Sequence, residues 1–161
     1  MTMADAGDSL DDANFDSAFA NAVLLKLFTL ETWIVAQIKA SIPEGTTDFE
    51  AAKAQRDLWD TIFENAVNNA IEKATKNYEE MRYKQALKYL FFELNNIKED
   101  YLIAKGGKAN AYTLMRYLET KMVLLNPVAP HFAQFCWKHH IYPVLSKSQN
   151  FGKECKAELN E

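Results

Sequence analysis

Residues 83–101, YKQALKYLFFELNNIKEDY, decide the fold class. Tyr83, Leu87, Leu90, Phe91, Leu94, Ile97 and Tyr101 recur there in a nearly strict seven-residue pattern. That repeat gathers apolar side chains along one side of a helix and leaves the polar residues for the other. Gly106-Gly107 follows and supplies the left-handed residue that closes a helix.

The same reading extends in both directions. Downstream, Met115, Leu118, Met122 and Leu125 face inward from a further helix, which Asn126-Pro127 stops because the residue before proline avoids helical geometry. Pro130 starts a short helix whose Phe132, Phe135 and Cys136 face the core, and the chain turns polar after Tyr142-Pro143. Upstream, Phe19, Val23, Leu27, Leu30, Ile34 and Ile38 form one stripe from Asp16, ended by the segment with Pro43 and Gly45. Thr47 and Glu50 make a capping box, behind which Trp59, Phe63, Val67, Ala70, Ala74 and Tyr78 keep helical spacing. The spacing predicts an all-α fold, an antiparallel bundle of four long helices plus a short fifth. Residues 1–15 are acidic and weakly periodic, with a turn at Gly7; residues 16–145 make the helical domain; residues 146–161 form a polar, frayed tail.

Composition agrees. With 48% hydrophobic residues, 12% aromatics, five glycines and four prolines in 161 residues, the chain can bury a core in one domain. The net charge of −4 argues against a broadly basic nucleic-acid binder, so any RNA contact must come from a local patch. Asp5, Asp8, Asp11, Asp12 and Asp16 crowd the start, ahead of the first cation, Lys26. Cys136 and Cys155 are too few for a disulfide framework. No apolar run reaches transmembrane length and no signal pattern opens the chain, so we expect a reduced, cytoplasmic protein without a membrane partner.

Enzyme-like constellations are weak. Cys136 and His140 stand four apart, with His131 and His139 nearby, but a tetrahedral metal site lacks its fourth ligand and Cys136 belongs to the core stripe. Glu93, Glu99, Asp100 and Glu119 read as a solvated face. Glycine-rich phosphate loops and nucleophile elbows are absent, and Leu145-Ser146-Lys147-Ser148 only echoes a nucleotide-site loop from within the polar tail. No catalytic, metal or cofactor-binding residue is expected in this chain. Lys98, Lys105, Lys108 and Arg116, by contrast, cluster at the junction of the third and fourth predicted helices, where a backbone phosphate could approach. Lys73, Lys76, Arg82, Lys84 and Lys88 surround the earlier junction, with simple solvation of helix ends as the bland reading.

The order of short motifs adds a resemblance. Ala4-Asp5-Ala6-Gly7-Asp8 and Asp12-Ala13-Asn14-Phe15 resemble the stretch after the catalytic loop of leucyl-tRNA synthetases of archaeal and eukaryotic cytosolic type. Ala20-Asn21-Ala22 with Leu24, Leu25 and Leu27 is similar to the first helix of that family's anticodon-binding domain. Tyr83-Lys84-Gln85-Ala86-Leu87-Lys88, Arg116-Tyr117-Leu118-Glu119-Thr120 and Leu124 through Phe132, with Pro127, Pro130 and His131, follow in family order. The last element is shared with isoleucyl-, valyl- and methionyl-type relatives. Gln134, Leu102 and Lys98 depart from the family pattern, and lysine lacks the bidentate fork of arginine.

The resemblance implies an anticodon-binding domain of the class I synthetase type, with residues 1–15 a connector from a catalytic domain not contained in these residues. It implies tRNA(Leu) and the catalytic domain of the same polypeptide as partners, with other synthetases as further partners in a complex. ATP and Mg would serve the parent leucine–tRNA ligase rather than this segment. On this reading Lys98, Lys105, Lys108 and Arg116 contact the tRNA backbone. The alternatives are a stand-alone helical interaction module with an acidic surface, or the equivalent domain of an isoleucyl-, valyl- or methionyl-type enzyme.

Overall fold

The computed structural model describes residues 1–6, 16–43 and 49–147, and all regular structure among them is helical. In chain order the helices are α1 (Thr2–Ala6), α2 (Ser17–Ser41), α3 (Phe49–Ala54), α4 (Leu58–Glu79), α5 (residues 83–104), α6 (Ala111–Leu125) and α7 (residues 130–145). The expectations for Gly7, Asp8, Asp11, Asp12, Ala13-Asn14-Phe15, Gly45, Thr47, Ser148 and Cys155 lie outside the described residues.

The all-α bundle is as the periodicity predicted. α6 is the central member, packed against α2, α3, α4, α5 and α7. Its Met115, Leu118 and Leu125 are fully buried, as are Leu87, Leu90 and Leu94 of α5, Ile34 of α2 and Cys136 and Ile141 of α7. Each such large aliphatic side chain contributes roughly 1.5–3 kcal/mol over its exposed state. Asp16 caps α2 by accepting from the Ala18 amide at 2.9 Å, and Asn110 caps α6 through the amides of Tyr112 and Thr113. α5 ends as its glycines predicted: Gly106 and Gly107 have φ of +64° and +87°, and their amides return to the carbonyls of Ile103 and Leu102.

Several boundaries differ from the sequence reading. The second predicted helix is two helices. The chain breaks at Gln55-Arg56-Asp57, and α4 starts on its own capping box, in which the Asp60 amide donates to Asp57 at 3.0 Å and the Asp57 amide to Asp60 at 2.9 Å. Asp is as good a cap as Thr, so the Thr47–Glu50 spacing competed with a stronger signal ten residues on. Trp59 and Tyr83, assigned to apolar stripes, are 50% and 42% exposed. The short fifth helix is longer than expected: α7 continues through a π-helical segment, Trp137–Ile141, into Tyr142–Leu145. Pro143 is tolerated there because it stands in the first turn of Tyr142–Leu145, where a missing N–H costs least. Phe135, expected in the core, is 44% exposed against His139 and His140, while Ala133 takes the core position. Before residue 16, Thr2–Ala6 is helical, with Met1 and Ala4 packed on the core.

α2 corrects the expectation about apolar length. Its 25 residues hold an 18-residue window of mean hydropathy 1.4, enough by length and composition to cross a membrane. Lys26 and Glu31 interrupt any uninterrupted apolar run, which is why residue-by-residue reading missed it. Polar attachments join this helix to the bundle: Glu31 lies 3.2 Å from His140, and Gln37 donates to the Gly107 carbonyl at 3.1 Å. Lys26 sits 4.7 Å from the Phe92 ring centre. Leu24, Leu25 and Phe28, on the outer face, are each more than 60% exposed.

α5 also contains a π segment, Lys88–Glu93, between Tyr83–Leu87 and Leu94–Ala104. Lys121 of α6 answers it. The fully buried Lys121 Nζ donates to the Leu90 carbonyl at 2.7 Å, the Phe91 carbonyl at 3.2 Å and Asn95 Oδ1 at 3.3 Å. It also lies 4.7 Å from the Phe91 ring centre. Burial pushes its pKa well below the usual lysine range, and nearby Lys98 adds to that.

Candidate nucleic-acid interface

The four predicted cations meet different fates. Lys98, on α5, turns inward: its side chain is 11% exposed and its ammonium sits 4.4 Å from the Trp33 ring centre of α2. Burial lowers its pKa, opposed by Glu99 at 3.8 Å. Lys105, at the end of α5, bridges to the start of α4, with Asp57 Oδ2 at 2.7 Å and Asp60 Oδ2 at 3.1 Å. Asp60 is fully buried and also accepts from the Tyr101 hydroxyl, so one carboxylate fastens both helices. The Lys105 hydrogen bond holds the Asp57 carboxyl down at about 2. For Lys105 itself, burial works to lower the pKa and the bonds to Asp57 and Asp60 outweigh it, so the net shift is upward.

Lys108 and Arg116 remain at the surface. Arg116 Nε lies 3.4 Å from Glu64 Oε1, whose other oxygen takes Arg56 Nη1 at 2.6 Å. The expected cluster therefore divides into two internal fasteners and two outward cations. Sequence spacing put them at one corner, but the corner's buried acid, Asp60, sits more than forty positions earlier and carried no visible signal of pairing.

A second basic surface forms where α4 turns into α5. Lys73, Lys76, Asn77, Glu80, Arg82, Gln85 and Tyr89 line an open cleft of about 670 Å³. Its position follows from the turn. α4 closes with Met81 in the left-handed region, φ +56°, while the Arg82 amide returns to Asn77 O at 2.8 Å and the Met81 amide to Tyr78 O at 3.0 Å. That Schellman-type closure folds the basic end of α4 against the start of α5. Lys73 and Lys88, from the two helices, place their ammoniums 5.5 and 5.7 Å from the same Tyr89 ring centre. Arg82 Nη1 lies 3.1 Å from Glu80 Oε2. Tyr78 supports the turn from below, donating to Leu124 O at 2.8 Å, and burial raises its pKa to about 12. Sequence counting registered these cations, but the aromatic and amide residues facing them across the turn were legible only in three dimensions.

Among the described residues no group of three or more His, Cys, Asp or Glu side chains is placed to hold a metal ion. Cys136 is buried, and burial raises its pKa to about 12. Of the carboxylates read as solvated, Glu119 is not: it is half-buried, and burial raises its pKa to about 7 against the opposing pull of Arg116.

Comparison with known proteins gives a consistent result. Residues 60–159 match the family model described as the anticodon-binding domain of tRNA ligase. The cytoplasmic leucine–tRNA ligase of Saccharomyces cerevisiae is 39% identical over 140 residues, 86% of this chain and 12% of that protein. The one of Dictyostelium discoideum is 34% identical over 134 residues, 83% of this chain and 12% of its own length. The leucine–tRNA ligase of Aeropyrum pernix is 29% identical over 138 residues, 84% of this chain and 13% of its own length. The chain thus spans about an eighth of the length of the relatives it matches.

Proposed function

Because this chain belongs to the family of anticodon-binding domains of tRNA ligases, we propose that it holds tRNA(Leu) for leucylation by a catalytic domain of the same polypeptide. The family match over residues 60–159 carries this reading. The relatives named above are leucine–tRNA ligases, which favours the leucyl assignment over the isoleucyl, valyl and methionyl ones. Those from yeast and Dictyostelium are named cytoplasmic, and we carry that location over. ATP and Mg would act in the parent enzyme; the residues described here offer them no phosphate loop.

The grip is electrostatic and sequence-blind. With a net charge of −4, the chain as a whole does not attract RNA, so binding must come from local cations against backbone phosphates. At the α5–α6 corner, Lys108 and Arg116 are the two predicted residues with outward heads. Lys98 and Lys105 stand behind them, fixing the corner through Trp33, Asp57 and Asp60. Fluorescence anisotropy of labelled tRNA(Leu), titrated with the chain, tests the reading. Saturable binding whose logarithm falls linearly with log salt is expected. No rise in anisotropy at low salt would refute it.

A further inference from the structure

We propose that the cleft between α4 and α5, lined by Lys73, Lys76, Arg82 and Tyr89, is a second RNA-backbone site that takes consecutive phosphates. The inference rests on the tRNA-holding reading above and assigns part of that grip to the earlier helix junction, which the sequence left open between solvation and RNA contact.

Charge is the first support. Residues 72–88 carry the cations Lys73, Lys76, Arg82, Lys84 and Lys88 against the carboxylates Glu72, Glu79 and Glu80, a local positive excess in a chain of net charge −4. Arrangement is the second. Exposed lysines on separate helices ordinarily spread apart, but here the Tyr89 ring draws Lys73 and Lys88 to itself from opposite sides of the turn. The ring's negative face offsets part of their mutual repulsion, so positive charge stays concentrated at one wall. Shape is the third: the cleft is open, with a volume of about 670 Å³, and Asn77 and Gln85 add amide groups to its lining. Asn77 Nδ2 is already committed to Lys73 O at 2.7 Å, which leaves its carbonyl oxygen for a ribose hydroxyl.

Backbone conformation is the fourth. Met81, the residue at the rim of the turn, is 71% exposed in a left-handed conformation that a methionine adopts only at a cost. Glu80 is the one carboxylate in the lining, and it occupies Arg82 in the free chain. Binding exchanges that carboxylate for a phosphate on the same guanidinium.

The chain itself, titrated with labelled tRNA(Leu) across a salt series, tests the proposal. Lys73→Gln/Lys76→Gln/Arg82→Gln should weaken binding by roughly tenfold or more and flatten the salt slope by about 2–3 units, close to one per phosphate contact. Lys39→Gln/Lys138→Gln/Lys147→Gln, the same charge change at exposed sites elsewhere, should change both far less. Glu80→Gln should tighten binding by a few fold, a gain that loss of folding cannot imitate. Equal losses in the two triple variants, or wild-type binding in the cleft triple, would overturn the site while leaving the tRNA reading intact. Failure of the wild-type chain to bind tRNA would overturn both. Circular dichroism of each variant verifies the fold, and the single Lys76→Gln replaces the triple if that one unfolds.

Discussion

Met81 and Gly106 occupy equivalent places, the residue just past the cap of a helix, in two closures with the same hydrogen-bond pattern. One is methionine at φ +56° and the other glycine at φ +64°. Exchanging residue types at the two positions isolates the cost of the left-handed conformation. A non-glycine residue held there costs about 1–3 kcal/mol. Met81→Gly removes that cost but gives back about 0.5–1 kcal/mol in unfolded-chain entropy. The Met81 side chain is 71% exposed, so the burial it forfeits is small, about 0.5 kcal/mol on the scale of a full methionine. At the middle of those ranges the net is a gain of about 0.75 kcal/mol, or about 1.5–3 °C in melting temperature for a chain of this size. Gly106→Ala should move the other way by about 1 kcal/mol, and for conformational reasons alone, because a Cβ there meets nothing within 4 Å. Thermal melts followed at 222 nm, with urea titrations in parallel, give both numbers. Shifts of the same sign, or a loss of stability in Met81→Gly, would refute the argument.

Three further outcomes follow from buried groups. Lys121→Ala takes a donor from the Leu90 and Phe91 carbonyls, of which Phe91 keeps the Leu94 amide, and leaves a cavity, for a loss of about 4–6 kcal/mol; Lys121→Met keeps the stem's volume and should lose about 2 kcal/mol less. Wild-type stability of the methionine variant in urea would show that those carbonyls need no donor. Glu119 keeps its proton in the fold up to about pH 7 but loses it near 4.5 when unfolded, so its contribution to stability is present at low pH and fades as pH rises through about 7. With solvent screening the change is about 1–2 kcal/mol, and Glu119→Gln should be the more stable protein at pH 8 with a flatter pH profile between 4.5 and 7; parallel profiles would contradict the shift. Lys105→Met leaves the buried Asp60 without its counter-charge, though still bonded to Tyr101 and the Asp57 amide, and should destabilise by about 3 kcal/mol, while NMR titration finds the Asp57 pKa moving up from about 2; an unmoved Asp57 would count against the fastener.

The sequence disclosed the helical class, the α5 stripe and the Gly106-Gly107 closure because each depends on local periodicity or on a residue type with one conformational use. The split between α3 and α4 was harder to read, since two capping signals lay ten residues apart and only one was weighed. The α7 extension escaped because a proline normally predicts an ending, whereas Pro143 sits in the first turn of a further helical stretch, a position that accepts it. The predicted basic site was legible as a count of charges, not as directions. Lys98 and Lys105 look identical to Lys108 in sequence, yet Trp33 and Asp60, from other helices, decide that the first two point inward.

The π segment in α5 bears on how that helix tolerates changes of length. π bonds span one residue more than α bonds, so residues 88–93 hold a surplus residue that a regular helix would not contain. Removing one residue elsewhere in α5 would rotate everything beyond it by about 100° and carry Leu94 and Tyr101 off the core. Removing one exposed residue inside 88–93 would instead close the helix to regular geometry and leave both flanking stripes on their present faces, at the expense of the Leu90 and Phe91 carbonyl bonds to Lys121. α5 thus contains one place where its register can be shortened without being lost.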